Sequence, residues 1–540
     1  MKTKTLLLQF ILLGLSISLS AQTPASATIN LNNVKFTIHA DGSLFQENGE
    51  GAFIAPYEEG EPEISLFRGS GLWIAGENSS GELRGAIQAQ NQNGKKDFVP
   101  VPTLNKIWRV TAQDIAEHQA DFADNGIIDN PNQNVFSWPG RNNQFFENYN
   151  EDGLEMLDPT LFGAPYFDLN SNGIYDPDAG EFPILQISGC ENDEPMMEAS
   201  EVFWFCYTDD TEHTQSGLEL MNLVIETQVY AFGCQEDNPY NNSVFVKHKL
   251  INTGIEELSS LYMGVFADFD IGSSDDDYIG TDPERNLLFA YNGNETDEAY
   301  GNDIPAASMD LLRGPYNALG DTAIVEADLS TMQLLPEEIN DLTGLEYYNL
   351  LKGLNADGSL SNNGPFAYPD DPNTIDGDSE VGAGNLPGER KALGTYGPIV
   401  FKPGAVNEII IAYSFTQENS QTPLENVTSM YEQNNDIQAL FDNCLVTTNC
   451  SPLVSSTIKV QSQKINVSPN PVSTILNVES NLQGLQEVVI VSLSGNVVYW
   501  ETGVGSSIEI PVNNLANGIY FLEVIDVNGK RAQEKVVVQH

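Results

Sequence analysis

Between Asp168 and Asp178 the chain reads Asp-Leu-Asn-Ser-Asn-Gly-Ile-Tyr-Asp-Pro-Asp, which sets oxygen-bearing side chains at alternate positions around a glycine. Calcium takes roughly six to eight oxygen ligands, and a loop that offers them at every second residue with a glycine at the sharp turn can wrap it. Asp168, Asn170 and Asn172 would take the first, third and fifth positions, Gly173 the turn, Ile174 a backbone carbonyl and Asp176 the ninth position. At the twelfth, where an EF-hand needs a bidentate glutamate, stands Ala179. The expectation is a non-helical calcium loop of the dockerin or thrombospondin-repeat style, closed by Asp178 or Glu181. The competing reading is a ladder of Asx turns with no ion. A second acidic group, Asp268, Asp270, Asp275, Asp276, Asp277 and Asp282, includes three consecutive aspartates that repel one another unless solvated or neutralised. Asp268, Asp270, Asp275 and Asp277 are its candidate ligands, again for calcium. Asp124 to Asp129 is a fragment of the first motif and a lesser candidate.

Catalytic patterns are sparse. The histidines are His39, His118, His213, His248 and His540, and none stands in an HExxH or beside a GxSxG elbow. No glycine-rich phosphate cradle follows a strand and opens a helix. Glycoside hydrolysis needs only two suitably spaced carboxylates, and 77 acidic residues leave that option open without favouring it. Trp73, Trp108, Trp138 and Trp204 read as core residues before glycan platforms. Cys190, Cys206, Cys234, Cys444 and Cys450 contain no CxxC pair, so zinc and thioredoxin-like chemistry are disfavoured. Cys444 and Cys450 could close a small loop, and one bridge among the other three would leave one thiol over.

The charge balance is extreme, 23 Lys+Arg against 77 Asp+Glu for a net of −54, and little of it falls at the C-terminal end. Such a surface repels nucleic acid and anionic lipid, which need basic residues to neutralise them, and it favours divalent cations. No nucleic-acid partner is expected.

The elements that must position these residues are mostly strands. Val202 to Phe205, Leu223 to Phe232, Val244 to Ile251 and Leu261 to Phe266 are β-branched and aromatic runs at sandwich-like intervals. A loop-rich stretch follows to about Leu386, and strands resume at Ile399 to Phe401 and Glu408 to Phe415 with Pro403-Gly404 as the turn between them. Thr111 to Phe122 reads as a helix with Thr111 as N-cap, and Thr422 to Asn443 as a closing helix. The fold expected is mainly β: a sandwich-like region over 22–446 with long loops, as one unit or as two subdomains at 22–183 and 184–446. A Ser/Thr-rich linker over 447–463 then leads to a small immunoglobulin-like β-sandwich over 464–540.

The two ends speak to location. Lys2 and Lys4 precede an apolar run from Leu6 to Leu19, closed by the small residues Ser18, Ser20 and Ala21. This is the pattern of a cleaved signal peptide over 1–21. The run is shorter than the roughly 18 apolar residues that span a bilayer, and no later stretch reads as a transmembrane helix. At the other end, Ser468-Pro469-Asn470-Pro471, Val488 to Val498 with Gly495, and Leu515-Ala516-Asn517-Gly518-Ile519-Tyr520 recur in an order that resembles the type A sorting domain of the type IX secretion system. The resemblance implies recognition by that machinery through Pro469, Asn470, Pro471, Gly495, Asn517, Gly518 and Tyr520, with Gly495 and Gly518 at tight turns. It also implies delivery through the periplasm to the outer-membrane surface or the medium.

The region from about residue 40 to 415 is similar to large type IX-exported surface proteins of undefined activity. The likeness rests on Ser70 to Gly76, Asp168 to Pro177, Asp268 to Gly272, Asp275 to Asp282 and Tyr291 to Gly293. It implies an exported cargo and brings no catalytic residues. The sequence therefore favours a secreted, calcium-stabilised binding or structural protein, with a glycan or another cell-surface component as its partner, over a polysaccharide-active hydrolase.

Overall fold

A computed structural model describes residues 23–89, 94–151, 153–156, 163–187, 199–234, 238–319, 323–418, 421–445, 465–480, 485–492, 497–505, 507–526 and 531–540. The signal-peptide segment and the linker fall outside these residues. The chain is mainly β, built on antiparallel sheets.

The first large sheet runs Ser26–Leu31, Val34–His39, Phe53–Ile54, Ser65–Glu77, Leu258–Phe269, Arg390–Phe401, Leu329–Leu334, with Leu83–Ile87 also paired to Ser65–Glu77. The second runs Asp277–Asp282, Leu287–Asn292, Ala306–Arg313, Val406–Thr416, Ser243–Asn252, Leu223–Ala231, Glu201–Thr208, Val99–Pro100, with Trp108–Thr111 also on Glu201–Thr208. Strands from before and after residue 183 thus share both sheets.

The sheets face each other across one core, and both outer faces are also covered. Because successive side chains of a strand point to opposite faces, each strand feeds two cores. Phe203, Phe205 and Tyr207 enter the central core while Val202, Trp204 and Cys206 enter a second one outside. Leu72 and Ile74 point inward, and Trp73 and Ala75 outward under the helix Gly344–Leu351. Two-sided burial is why these strands read as unbroken apolar runs.

The closing helix forms at Pro423–Asp442, with a capping box in which the Thr422 hydroxyl accepts from the Glu425 N–H. Its Val427 and Met430 cover Tyr278, Phe289 and Tyr291, and its Ile437, Leu440 and Phe441 reach the second outer core. The helix expected at Thr111 spans Ala112–Asn125 with a capping box between Thr111 and Asp114, and it ends at Gly126, whose φ of 79° is the left-handed C-cap. That cap accounts for the Asn-Gly pair in the Asp124–Asp129 fragment.

Pro403-Gly404 is the turn expected between the strands Arg390–Phe401 and Val406–Thr416, and it carries the chain from the first sheet to the second. A second crossover, from Ser243–Asn252 to Leu258–Phe269, lies at the same corner. There buried Asn252 donates to the Phe401 carbonyl at 3.1 Å, and its own carbonyl accepts from the Gly404 N–H at 2.7 Å. The stretch before Leu386 is less loop-like than its composition suggests. It contains the strands Leu287–Asn292, Ala306–Arg313 and Leu329–Leu334, short apolar segments set between acidic, glycine-rich turns.

Near the C-terminus a three-stranded sheet (Ile465–Ser468, Ile475–Ser480, Ser507–Pro511) and a four-stranded one (Val497–Gly505, Leu485–Ser492, Gly518–Asp526, Arg531–Val538) make a small sandwich. Val472, Leu476, Val478, Ile490, Ile510, Leu522 and Val536 fill its core.

Candidate metal centre

The short strands Tyr166–Phe167 and Phe182–Pro183 pair with each other and hold the loop between them as a closed arch. Phe167 stacks on Phe182 at 5.3 Å, and buried Tyr175 donates its hydroxyl to the Val135 carbonyl at 2.8 Å. Within the arch the alternating side chains turn inward on their own backbone. Asp168 accepts from the N–H groups of Asn172 at 3.1 Å and Gly173 at 2.7 Å. Asn170 accepts from the same Asn172 N–H at 3.0 Å, and Asn172 accepts from Ile174 at 2.7 Å. The Asn172 amide donates to Asp176 at 2.7 Å. Gly173 sits at φ 72°, a conformation that favours glycine.

The closing residue is Glu181. The turn Pro177–Ala179 and Gly180, at φ 88°, carry the chain back so that the Glu181 side chain lies fully buried beneath the arch. It accepts from the Asp176 N–H at 2.8 Å and lies close enough to Asp168 to feel its charge. Burial first, then the Asp168 charge, pushes its acid dissociation up to about 8. Asp178 is exposed on the turn, so the two alternatives for the closing oxygen are separated by geometry. Asp168, Asn170, Asn172, Asp176 and Glu181 therefore share one small arch, with Ile174 on its backbone.

The second acidic group divides. Asp275 is exposed. Asp268 lies on the outer face of the first sheet, opposite Lys391 in register, and burial pushes its carboxyl up to about 7. Asp270 is raised to about 6, also by burial first. Asp277 is fully buried and accepts from the Ile271 N–H at 3.0 Å. The loop after the next strand brings in Asp297, which accepts from the Ser273 N–H at 3.0 Å. Sequence reasoning missed Asp297, which sits between Glu295 and Glu298 in a stretch with no metal-loop spacing. Among the described residues no three acidic, histidine or cysteine side chains already gather closely enough to chelate an ion.

The remaining polar candidates are structural. His118 is buried edge-on against Phe136 and held near 4 by burial, while His248 sits neutral in the central core beside Thr227. Trp73, Trp108, Trp138 and Trp204 are all buried. Cys206 is a free buried thiol and Cys234 and Cys444 are disulfide-bonded; Cys190 and Cys450 lie outside the described residues. A cavity of about 400 Å³ lies between Ala27–Asn30 and the Arg109–Phe203 edge. Its one carboxylate, Glu201, is held in a two-pronged pair by Arg109 at 2.7 and 2.9 Å.

In the small C-terminal sandwich Asn470 knits the Pro469–Pro471 segment to the last strand, donating to the Lys535 carbonyl at 2.7 Å and accepting from the Val537 N–H at 2.8 Å. The Asn517 side chain accepts from the His540 N–H at 2.7 Å, and Tyr520 donates to the Ala516 carbonyl at 3.0 Å. Gly518 opens a strand in extended backbone and so makes no left-handed turn, while Gly495 lies outside the described residues.

The family model described as a secretion system C-terminal sorting domain matches residues 466–539. The chain thus carries the type IX sorting domain of an exported cargo, addressed to the cell surface or the medium, and interacts through it with that machinery. No helix among the described residues is long and apolar enough to cross a membrane. No curated protein matches the chain. A solved polysaccharide lyase matches at 10% identity with a TM-score of 0.18, covering 58% of this chain and 34% of the lyase. The chain spans about a third of the lyase's length, and a likeness that weak says nothing of its chemistry.

Proposed function

We propose that the cargo carried by this sorting domain is a calcium-stabilised, non-enzymatic binding or structural protein of the cell exterior. The observation that carries the reading is the arch of Asp168, Asn170, Asn172 and Asp176 closed from beneath by buried Glu181. Two carboxyl groups that feel each other's charge, one of them fully buried, are an arrangement that a hard divalent cation relieves, and calcium accepts the amide and backbone oxygens offered beside them. Asp168, Asn170, Asn172, Asp176 and Glu181 would hold the ion, with the Ile174 carbonyl completing the set. Its work would be structural, joining the arch to the helix and sheet beneath.

The hydrolase reading needs a cleft that presents two free carboxylates. The cavity beside Ala27–Asn30 offers one carboxylate, Glu201, already committed to Arg109, and so is not such a cleft. The four tryptophans of the cargo are buried, so a glycan partner of the cargo would have to be bound by other groups.

The test compares thermal melting and limited proteolysis of residues 22–455 in millimolar calcium and in chelator. A site that binds only the folded form adds about 1.4 kcal/mol when free calcium is about ten times the dissociation constant. Calcium is expected to raise the melting temperature and protect the arch from cleavage, and Asp168→Ala to remove the protection and lessen the rise. Identical melting and identical cleavage in chelator would leave the Asx ladder as a plain turn.

A further inference from the structure

We propose that the turn Asp270–Ser273 and the two loops that clamp it form a second divalent-cation site, suited to calcium, with Asp277 and Asp297 as its principal ligands and Asp270 and Asp276 beside them. This site stands apart from the arch at Asp168 and does not depend on it.

Geometry gathers the four residues around one turn. Asp277 approaches from the strand Asp277–Asp282 and binds the Ile271 N–H through one oxygen. Asp297 approaches from the loop after Leu287–Asn292. It binds the Ser273 N–H with one oxygen and those of Ala299 and Tyr300, at 2.7 and 2.6 Å, with the other. The Asp297 carboxylate presses against the turn so closely that a Cβ on Gly272, at φ 71°, would lie 2.4 Å from its Oδ1. Asp276 fixes the neighbouring loop, accepting from the Asn294 amide at 2.9 Å through its side chain and from the Gly293 N–H at 2.6 Å through its carbonyl.

An independent observation points to a ligand. The second oxygen of Asp277, Oδ1, is buried without any hydrogen-bond partner, on a residue that is 0% exposed. Asp276 also has a shielded, unpartnered Oδ1. The charges of Asp270, Asp276 and Asp297, all of its own sign, press on Asp277. Arg390, a cation that also feels Asp277, spends its guanidinium on Glu380 with two bonds of 2.8 Å. A buried carboxylate oxygen left unpaired among like charges is costly, and either a cation or a proton relieves it. The two differ in what they demand of the neighbours. A proton on Asp277 needs no other carboxylate nearby, whereas Asp277 and Asp297 pinning one turn from two loops, with Asp270 and Asp276 beside them, is what an oxygen-seeking ion uses. The carboxylates do not all meet at one point, so the ion would draw on two of them together with backbone carbonyl and water oxygens, a mixture calcium tolerates.

The experiment is a calcium titration by calorimetry on the full chain after chelator treatment, with terbium luminescence as a second readout. Asp277→Asn keeps the side chain's size and an oxygen for the Ile271 N–H while removing the charge. It is expected to lose one equivalent of bound calcium, or to weaken that equivalent at least ten-fold. Asp275→Asn, on the exposed neighbour, should leave the titration unchanged, and Asp168→Ala should remove a different equivalent. If Asp277→Asn fails to fold, Asp297→Asn reads the same site. Unchanged stoichiometry and affinity in the folded Asp277→Asn or Asp297→Asn variant would show that Asp277 holds a proton and overturn the proposal. That failure is separate from failure of the arch, which Asp168→Ala alone reports.

Discussion

Glu181 is the residue on which the arch turns, and its titration gives a test that needs no calcium. Burial raises its dissociation in the folded chain to about 8, well above that of an exposed glutamate. Between about pH 4.5 and 8 the folded state therefore holds a proton that the unfolded state has released. Stability from this group is full below the unfolded value and falls as pH rises through the folded one. In chelator, the melting temperature is expected to decline across that window. Glu181→Gln should flatten the decline, and added calcium should offset it by favouring the ionised form. A wild-type profile that matches Glu181→Gln in chelator would contradict this account. The sequence pointed to Asp168, Asn170, Asn172 and Asp176 because their spacing is local. It could not choose between Asp178 and Glu181, since that choice depends on the tight turn Pro177–Ala179 and on left-handed Gly180. Asp297 was invisible for a related reason: twenty positions separate it from Asp277, and only strand pairing brings their loops to the same turn.

At the scale of elements, what was legible was what local chemistry dictates. The Thr111 N-cap and the helical spacing of apolar residues after Thr422 announce the two helices, both of which form, each with a capping box at its start. The strands from Val202 to Ile251 are recognisable because covers on both faces make them continuously apolar. Sheet membership was not legible, since Pro403-Gly404 has the chemistry of a hairpin turn and yet carries the chain from one sheet to the other. Leu287–Asn292 was lost among acidic turns, although every residue in it is buried. The crossover corner depends on Asn252, whose side chain donates to Phe401 and accepts from the Gly254 N–H at 3.0 Å. Asn252→Ala leaves buried backbone groups unpaired and is expected to cost about 1–3 kcal/mol. Chemical denaturation would show this as a lowered midpoint with an unchanged slope. A loss below about 0.5 kcal/mol would mean that the corner is held by its backbone contacts alone.

For the whole molecule, charge and address divide between the two parts of the chain. The sorting domain has four basic and seven acidic residues from Lys464 onward, so nearly all of the net −54 belongs to the cargo. A surface so acidic stays soluble and repels itself, and bound divalent cations would relieve part of that repulsion in the compact state. The C-terminal sandwich has its own core and keeps its Asn470, Asn517 and Tyr520 contacts within itself. Removing it should therefore leave the cargo folded and without its address. The most direct measurement is cell fractionation of the producing bacterium with residues 464–540 deleted and the rest of the chain intact. The account predicts that the truncated protein accumulates in the periplasm in folded form, with none at the surface or in the medium. Surface delivery of the truncated chain at the level of the full-length protein would contradict it.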